Sequence, residues 1–202
     1  AQALELVAVR AAGMAEAAAA TPTGMAAVVG GGQDEVLAAI EGAGLTPANV
    51  NGGGQVVAAG TQEQLDALAA QPPARARVIP LKVAGAFHTS HMAPAVAGLA
   101  DHVAGLTPQD PRAVLLSNRD GAAVADGADA LSRIVEQVTR PVRWDLCMAS
   151  LADRGITGVL ELLPGGTLTG LAKRGLKGTP TLAVKTPEDL DAARAFIAEH
   201  TA

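Results

Sequence analysis

Tyrosine is missing from this sequence, and large aromatic side chains are scarce: two Phe and one Trp among 202 residues. A core without large aromatics must be assembled from many small side chains, here mainly Ala, Val and Leu, and close-packed interiors of that sort suit layered α/β folds. Cysteine is nearly absent too. The lone Cys147 cannot form an intramolecular disulfide, and no cluster of Cys and His has zinc-type spacing, so the expectation is a reducing compartment and no metal. His88 and His91 stand three apart, but no carboxylate or thiol sits at a matching interval. Positive charge is in short supply, with 15 Lys and Arg against 20 Asp and Glu, which argues against a sequence-independent nucleic-acid binder. Long apolar runs are missing as well: nothing approaches the ~20 residues of a membrane span, and the first residues lack the basic region and cleavage site of a secretory signal. The chain therefore reads as soluble and cytoplasmic, with neither nucleic acid nor membrane as partner.

What is present is an ordinary globular composition, 49% hydrophobic and 17% charged. The chain opens without Met and enters a helical pattern at once, uncapped, over Ala1 to Ala20, with Leu4, Val7, Ala8, Ala11, Met14, Ala15 and Ala18 at helical spacing and Thr21-Pro22 as the stop. Such an opening is expected of a chain cut rather than begun. A strand over 24–29, a helix over 34–43, strands over 49–51 and 55–59 around Gly52-Gly53-Gly54, a helix over 63–70 and a strand over 77–83 follow. That order, β-α-β-β-α-β, is the split pattern of a ferredoxin-like unit. Beyond residue 83 the elements alternate at longer intervals: helices over 94–104, 130–138, 146–153, 168–173 and 188–199, and strands over 113–117, 158–162 and 181–184. This alternation predicts a mostly parallel sheet covered by helices. The expected organisation is a small domain of residues 22–82 inserted into a larger one made of 1–21 and 83–202.

Two residues could carry chemistry. His88, in Gly85-Ala-Phe-His-Thr-Ser-His-Met92, lies in a strand-to-helix loop at a sheet edge, where catalytic and ligand groups of open α/β sheets collect. It is either a general base or a histidine satisfied by local backbone. Arg10 falls between Leu6 and Met14 at spacings of four, along the apolar flank of the opening helix. There it either snorkels to water or meets an anion, and a carboxylate suits the fork of a guanidinium.

Taken together, the segments resemble the malonyl-CoA:acyl-carrier-protein transacylases, along the whole chain. Gly85-Ala-Phe-His-Thr-Ser-His-Met resembles their active-site histidine motif, Val9-Arg10 with Met14 their arginine helix, and Pro47-Ala-Asn-Val-Asn with Gly54-Gln-Val-Val-Ala-Ala-Gly60 their inserted small domain. Ser117-Asn-Arg-Asp-Gly121, Gln137 with Pro141-Val-Arg-Trp144, and Glu161-Leu-Leu-Pro-Gly-Gly-Thr-Leu-Thr-Gly170 match in order and spacing. The departure is the family's Gly-His-Ser-x-Gly-Glu elbow: it would precede the arginine helix, and no Gly-x-Ser-x-Gly occurs in these residues. Ser90, Ser117, Ser132 and Ser150 do not lie in such an elbow.

The resemblance implies an α/β-hydrolase-like large domain, incomplete here, with the ferredoxin-like insertion. It implies acyl-carrier-protein S-malonyltransferase activity in fatty acid biosynthesis for the full-length parent, by ping-pong transfer of malonyl from malonyl-CoA through an acyl-serine to the phosphopantetheine thiol of acyl carrier protein. No cofactor is implied, and a monomer is expected. Within the site, His88 would be the base, with its second ring nitrogen fixed by the backbone carbonyl of Gln137. Arg10 would hold the malonyl carboxylate, and Asn118 would belong to the substrate site. Phe87 would fill space beside the α-carbon or simply pack the core. Lys173, Arg174 and Lys177 would dock the acidic carrier protein, or form a solvated helix end. The chain as written is expected to be inactive, and a non-catalytic carrier-protein binder and a trans-acting polyketide acyltransferase are the alternatives.

Overall fold

The computed structural model describes residues 2–201, so Ala1, the first residue of the expected opening helix, lies outside them. The chain is an α/β fold with mixed parallel and antiparallel pairing. It opens with helix α1 (Gln2–Ala20), followed by β1 (Thr23–Gly30), α2 (Gln33–Gly42), β2 (Thr46–Gly52), β3 (Gln55–Thr61), α3 (Gln62–Ala70) and β4 (Ala76–Pro80). Strands pair in the order β4-β1-β3-β2, all antiparallel. One face of that sheet, with Ala26, Val28, Val50, Val56 and Ala58, packs on Val36 and Ile40 of α2 and on Leu65 and Leu68 of α3. The opposite face presents Met25, Val57 and Ala59 to Ala86 and Phe87. Both faces are therefore covered, which explains why β1 and β3 read as continuous apolar runs rather than alternating ones. Thr61 accepts from Gln64 N at 3.3 Å while Gln64 Oε1 accepts from Thr61 N at 2.9 Å, a capping box that starts α3.

After β4 come a 3-10 helix (Ser90–Ala95), α4 (Val96–Ala104), β5 (Leu115–Leu116), β6 (Ala123–Val124), α5 (Gly127–Glu136), β7 (Val142–Arg143), α6 (Trp144–Asp153), β8 (Val159–Glu161), α7 (Thr167–Gly175), β9 (Thr181–Ala183), a second 3-10 helix (Pro187–Asp189) and α8 (Leu190–His200). One expectation needs correction here. The anticipated strand over 113–117 shrinks to β5, paired antiparallel with β6 across the turn Ser117–Gly121, whose Gly121 takes φ 71° and bonds its N–H to Ser117 O at 2.8 Å. That glycine was a hairpin signal, and a hairpin cannot give a parallel neighbour. Parallel pairing is confined to β8 with β9 and β2 with β7 among the described residues. On α1 the buried face is Leu6, Met14, Ala17 and Ala18, while Leu4 and Val7 stand 78% and 60% exposed. An alanine-rich helix has little amphipathic contrast, so sequence spacing alone could not set its rotation.

The pairing of β2 with β7 places Asn49 opposite Val142 and Val50 opposite Arg143. Gly53 in the β2–β3 turn also abuts α7, where an added Cβ would come within 2.8 Å of Arg174 Cβ. The four-stranded unit is thus joined to the later elements by a strand ladder as well as by packing.

Candidate active site

Two close approaches set the position of α1. A Cβ on Gly13 would lie 3.3 Å from Ala95 Cβ, and one on Gly85 would lie 2.8 Å from Ala18 Cβ. The helix carrying Arg10 is thereby seated against the loop carrying His88, with Leu6 and Met14 buried on either side of the half-buried arginine. The stripe Leu6–Arg10–Met14 is the flank anticipated for it.

His88 itself takes φ 61°, a left-handed conformation that a non-glycine residue adopts at a cost on the order of 1 kcal/mol. Its neighbours enforce the turn. Ala86 N donates to Thr23 Oγ1 at 2.9 Å, the buried Thr89 hydroxyl donates to Ala86 O at 2.7 Å, and Met92 N donates to Thr89 O at 3.0 Å as the 3-10 helix begins. In this pose Nδ1 lies 2.9 Å from Gln137 O. A carbonyl can only accept, so Nδ1 carries the proton and a neutral ring leaves Nε2 as a free base. Burial pushes the imidazole below its ordinary value; the Gln137 bond pulls it back, and the Arg10 charge pushes it down again. Gln137 ends α5 as its C-cap, with its own N–H on Arg133 O at 2.9 Å.

Arg10 donates from Nη2 to Oε1 of the same Gln137 at 2.6 Å. Burial lowers its pKa without threatening its charge. Arg10, Met14, Met25, Asn49, Phe87 and His88 help to line an open cleft of about 430 Å3, and no carboxylate, serine or threonine lines it. A cavity of about 480 Å3 between β5, α5 and α6 is larger but poorer in chemistry, since its one charged lining residue, Arg133, is already tied to Asp120 and Asp129. Asn118 lines that second cavity beside Gln137, and its carbonyl accepts from Arg143 N at 2.7 Å. Lys173, Arg174 and Lys177 are exposed at the end of α7 and just past it. Among the described residues no group of three or more His, Cys, Asp or Glu is placed to hold a metal ion, and no helix is long and apolar enough to cross a membrane.

A family model described as an acyl transferase domain matches residues 1–198. The chain belongs to that family. Among acyl transferase relatives, the malonyl CoA-acyl carrier protein transacylase of Mycolicibacterium smegmatis is 55% identical over 193 residues, 94% of this chain and 67% of the relative. The transacylase of the same name from Mycobacterium tuberculosis is 53% identical over 189 residues, 94% of this chain and 63% of its own length. The crystal structure of MCAT from M. tuberculosis superposes with a TM-score of 0.90 over 95% of this chain and 63% of that one. The chain thus spans roughly two-thirds of the length of its acyl transferase relatives.

Sequence reasoning missed two features of this cleft. Met25 and Asn49 enter the cleft from the four-stranded unit, although Asn49 stood in a quoted motif. The Gln137 side chain was overlooked beside its carbonyl. Apart from the cleft, Glu161 is buried at the start of α7, with Gly166 N, Leu168 N, Thr169 N and Thr169 Oγ1 all donating to its carboxylate at 2.8–2.9 Å. Its place before Gly165-Gly166 and a helix start was the available signal, because helix N-termini attract carboxylates.

Proposed function

We propose that these residues form the base and carboxylate-binding half of a malonyl-CoA:acyl-carrier-protein transacylase acting in fatty acid biosynthesis. The observation that carries the reading is Arg10: a half-buried cation in the same cleft as a histidine with a free Nε2, met by an amide and by no carboxylate. Such a guanidinium can grip the free carboxylate of malonyl through two parallel bonds. The names of the relatives support the same substrates.

In the reaction, a serine hydroxyl outside these residues attacks the malonyl thioester carbonyl while His88 Nε2 takes its proton; the carbon–sulfur bond breaks and the proton passes to the departing coenzyme A thiolate. The reverse sequence delivers malonyl to the phosphopantetheine thiol of acyl carrier protein. The Gln137 carbonyl holds the imidazole through Nδ1–H, where a thiolate leaving group makes a buried aspartate unnecessary. No metal or other cofactor enters these steps. Phe87, packed between the helices and the four-stranded sheet, bounds the space beside the acyl α-carbon, and Asn118, which lines the neighbouring cavity together with Gln137, belongs to the outer part of the substrate site. Lys173, Arg174 and Lys177 receive the acidic carrier protein. Residues 22–82 form a ferredoxin-like domain, supported by the β4-β1-β3-β2 order, inserted into an α/β-hydrolase-like domain of 1–21 and 83–202. The full-length enzyme is a cytoplasmic monomer.

Calorimetry with this chain tests the reading. Malonyl-CoA should bind more tightly than acetyl-CoA, and Arg10→Ala should weaken malonyl-CoA about tenfold or more while sparing acetyl-CoA, since only the first presents a carboxylate. Equal losses for both thioesters would make Arg10 structural and remove the proposal.

A further inference from the structure

The bond from Arg10 Nη2 to Gln137 Oε1 has no part in the chemistry above, which uses only the backbone carbonyl of Gln137. It joins residues 127 apart, from α1 and the end of α5, and at 2.6 Å it is as short as a charge-assisted bond. The partner is the unusual feature. Arg119, Arg133, Arg143 and Arg194 all pair with carboxylates, whereas Arg10 is met by a neutral amide. An amide oxygen holds a guanidinium less strongly than a carboxylate, which brings charge and a second oxygen to the fork. Anchoring of the backbone makes exchange feasible. The Gln137 N–H is committed to Arg133 O, and its carbonyl accepts from His88 Nδ1 at 2.9 Å and from Arg140 N at 3.3 Å. Its side chain can therefore leave Arg10 while the carbonyl stays in place beneath the imidazole.

We propose that the Gln137 side chain is a displaceable stand-in for a carboxylate on Arg10, which makes Gln137 a specificity-determining residue as well as the residue that orients His88. The proposal rests on the malonyl reading of the cleft. An acyl group with a free carboxylate exchanges the amide for a charged partner, whereas a neutral acyl group leaves Oε1 in place and finds the guanidinium already occupied. Between turnovers the amide keeps Arg10 aimed. Because the same residue's backbone holds the base, the exchange leaves His88 undisturbed.

Titration of sodium malonate into this chain, followed by amide and side-chain NMR shifts, tests this with wild type, Arg10→Ala, Gln137→Ala and Gln137→Glu. Both Gln137 variants retain the backbone carbonyl, and the glutamate is nearly isosteric, so amide spectra confirm the fold in at least one of them. Gln137→Ala should bind malonate roughly 2- to 10-fold more tightly than wild type, since no charge-assisted amide bond has to be displaced. Gln137→Glu should bind it at least about tenfold more weakly, because an internal carboxylate then takes the guanidinium. Arg10-dependent binding to wild type that is equal or weaker in Gln137→Ala would overturn the stand-in and leave the malonyl reading intact. Malonate binding to neither wild type nor Gln137→Ala would overturn that reading and the stand-in together.

Discussion

Single residues in this chain act through how their buried polar atoms are matched. Glu161 has four donors on two oxygens, and the backbone N–H bonds that greet it hold its carboxyl down at about 2 against its burial. Glu161→Gln replaces one oxygen by an NH2 group, so at least one buried N–H loses its acceptor. We expect a loss of ~2–3 kcal/mol by urea denaturation at pH 7; an unchanged midpoint would show that the loop before α7 rearranges to satisfy its donors. The signs for pH follow from the native values. Glu161 is depressed from 4.5, so its contribution is complete above that value and is lost as pH falls from 4.5 through about 2. His88 is also depressed, from 6.5, and its fold favours the neutral ring, so a first decline in stability begins as pH drops below 6.5. In Glu161→Gln the lower decline should shrink, leaving the part owed to Asp120, Glu188 and Asp189, whose carboxyls are also depressed, and the upper one should persist. The buried Cys147 thiol, pushed up to about 11 chiefly by burial and donating to Ser117 O at 3.4 Å, is chemically quiet.

At the scale of elements, the site depends on how α1 sits against the histidine loop. Gly85 is there for proximity: a methyl at this position would meet Ala18 Cβ at 2.8 Å, and Ala18 Cα and Thr23 Oγ1 at 3.3 Å. The last of these is the acceptor of Ala86 N, so the clash reaches the hydrogen bond that shapes the turn into His88. Gly85→Ala should therefore cost about 1–3 kcal/mol as overpacking. It should also separate Arg10 from Gln137, visible as loss of the cross-peaks between their side chains in NMR. Retention of those contacts with full stability would mean that α1 is held by its Met14 and Leu6 packing alone.

The molecule as a whole divides into a strongly laddered part and a weakly laddered one. Strands β1 and β3 pair over seven residue positions, and β4 over five, around a common core. By contrast β5–β6 and β8–β9 are isolated pairs of two and three positions, with Leu115 of β5 exposed and exposed Val114, Leu162 and Leu163 flanking them. Short ladders with open edges unfold locally at low cost. Hydrogen exchange should leave Val56–Ala59 and Val78–Ile79 protected, while Leu115–Leu116 and Val159–Glu161 exchange on the order of 100-fold faster. Uniform protection would show that the small sheets open only with the whole fold.

Much of this was legible in the sequence for reasons that are local. Turn chemistry at Thr21-Pro22 and Gly52-Gly53-Gly54, together with apolar periodicity, set out the βαββαβ order and placed its strands within a few residues. The four-residue spacing of Leu6, Arg10 and Met14 put the arginine on a packed flank, and motif resemblance tied His88 to the Gln137 carbonyl, where the structure finds it. What stayed hidden depends on groups distant in sequence. The rotation of α1 is set by Gly13 against Ala95 and Gly85 against Ala18, contacts between small residues whose own periodicity is nearly featureless. The left-handed His88 and the amide on Arg10 likewise arise where non-neighbouring segments meet. Sequence spacing determines which side chains share a face; only close packing decides which face meets which, and so brings an arginine from residue 10 and a glutamine from residue 137 within a single hydrogen bond.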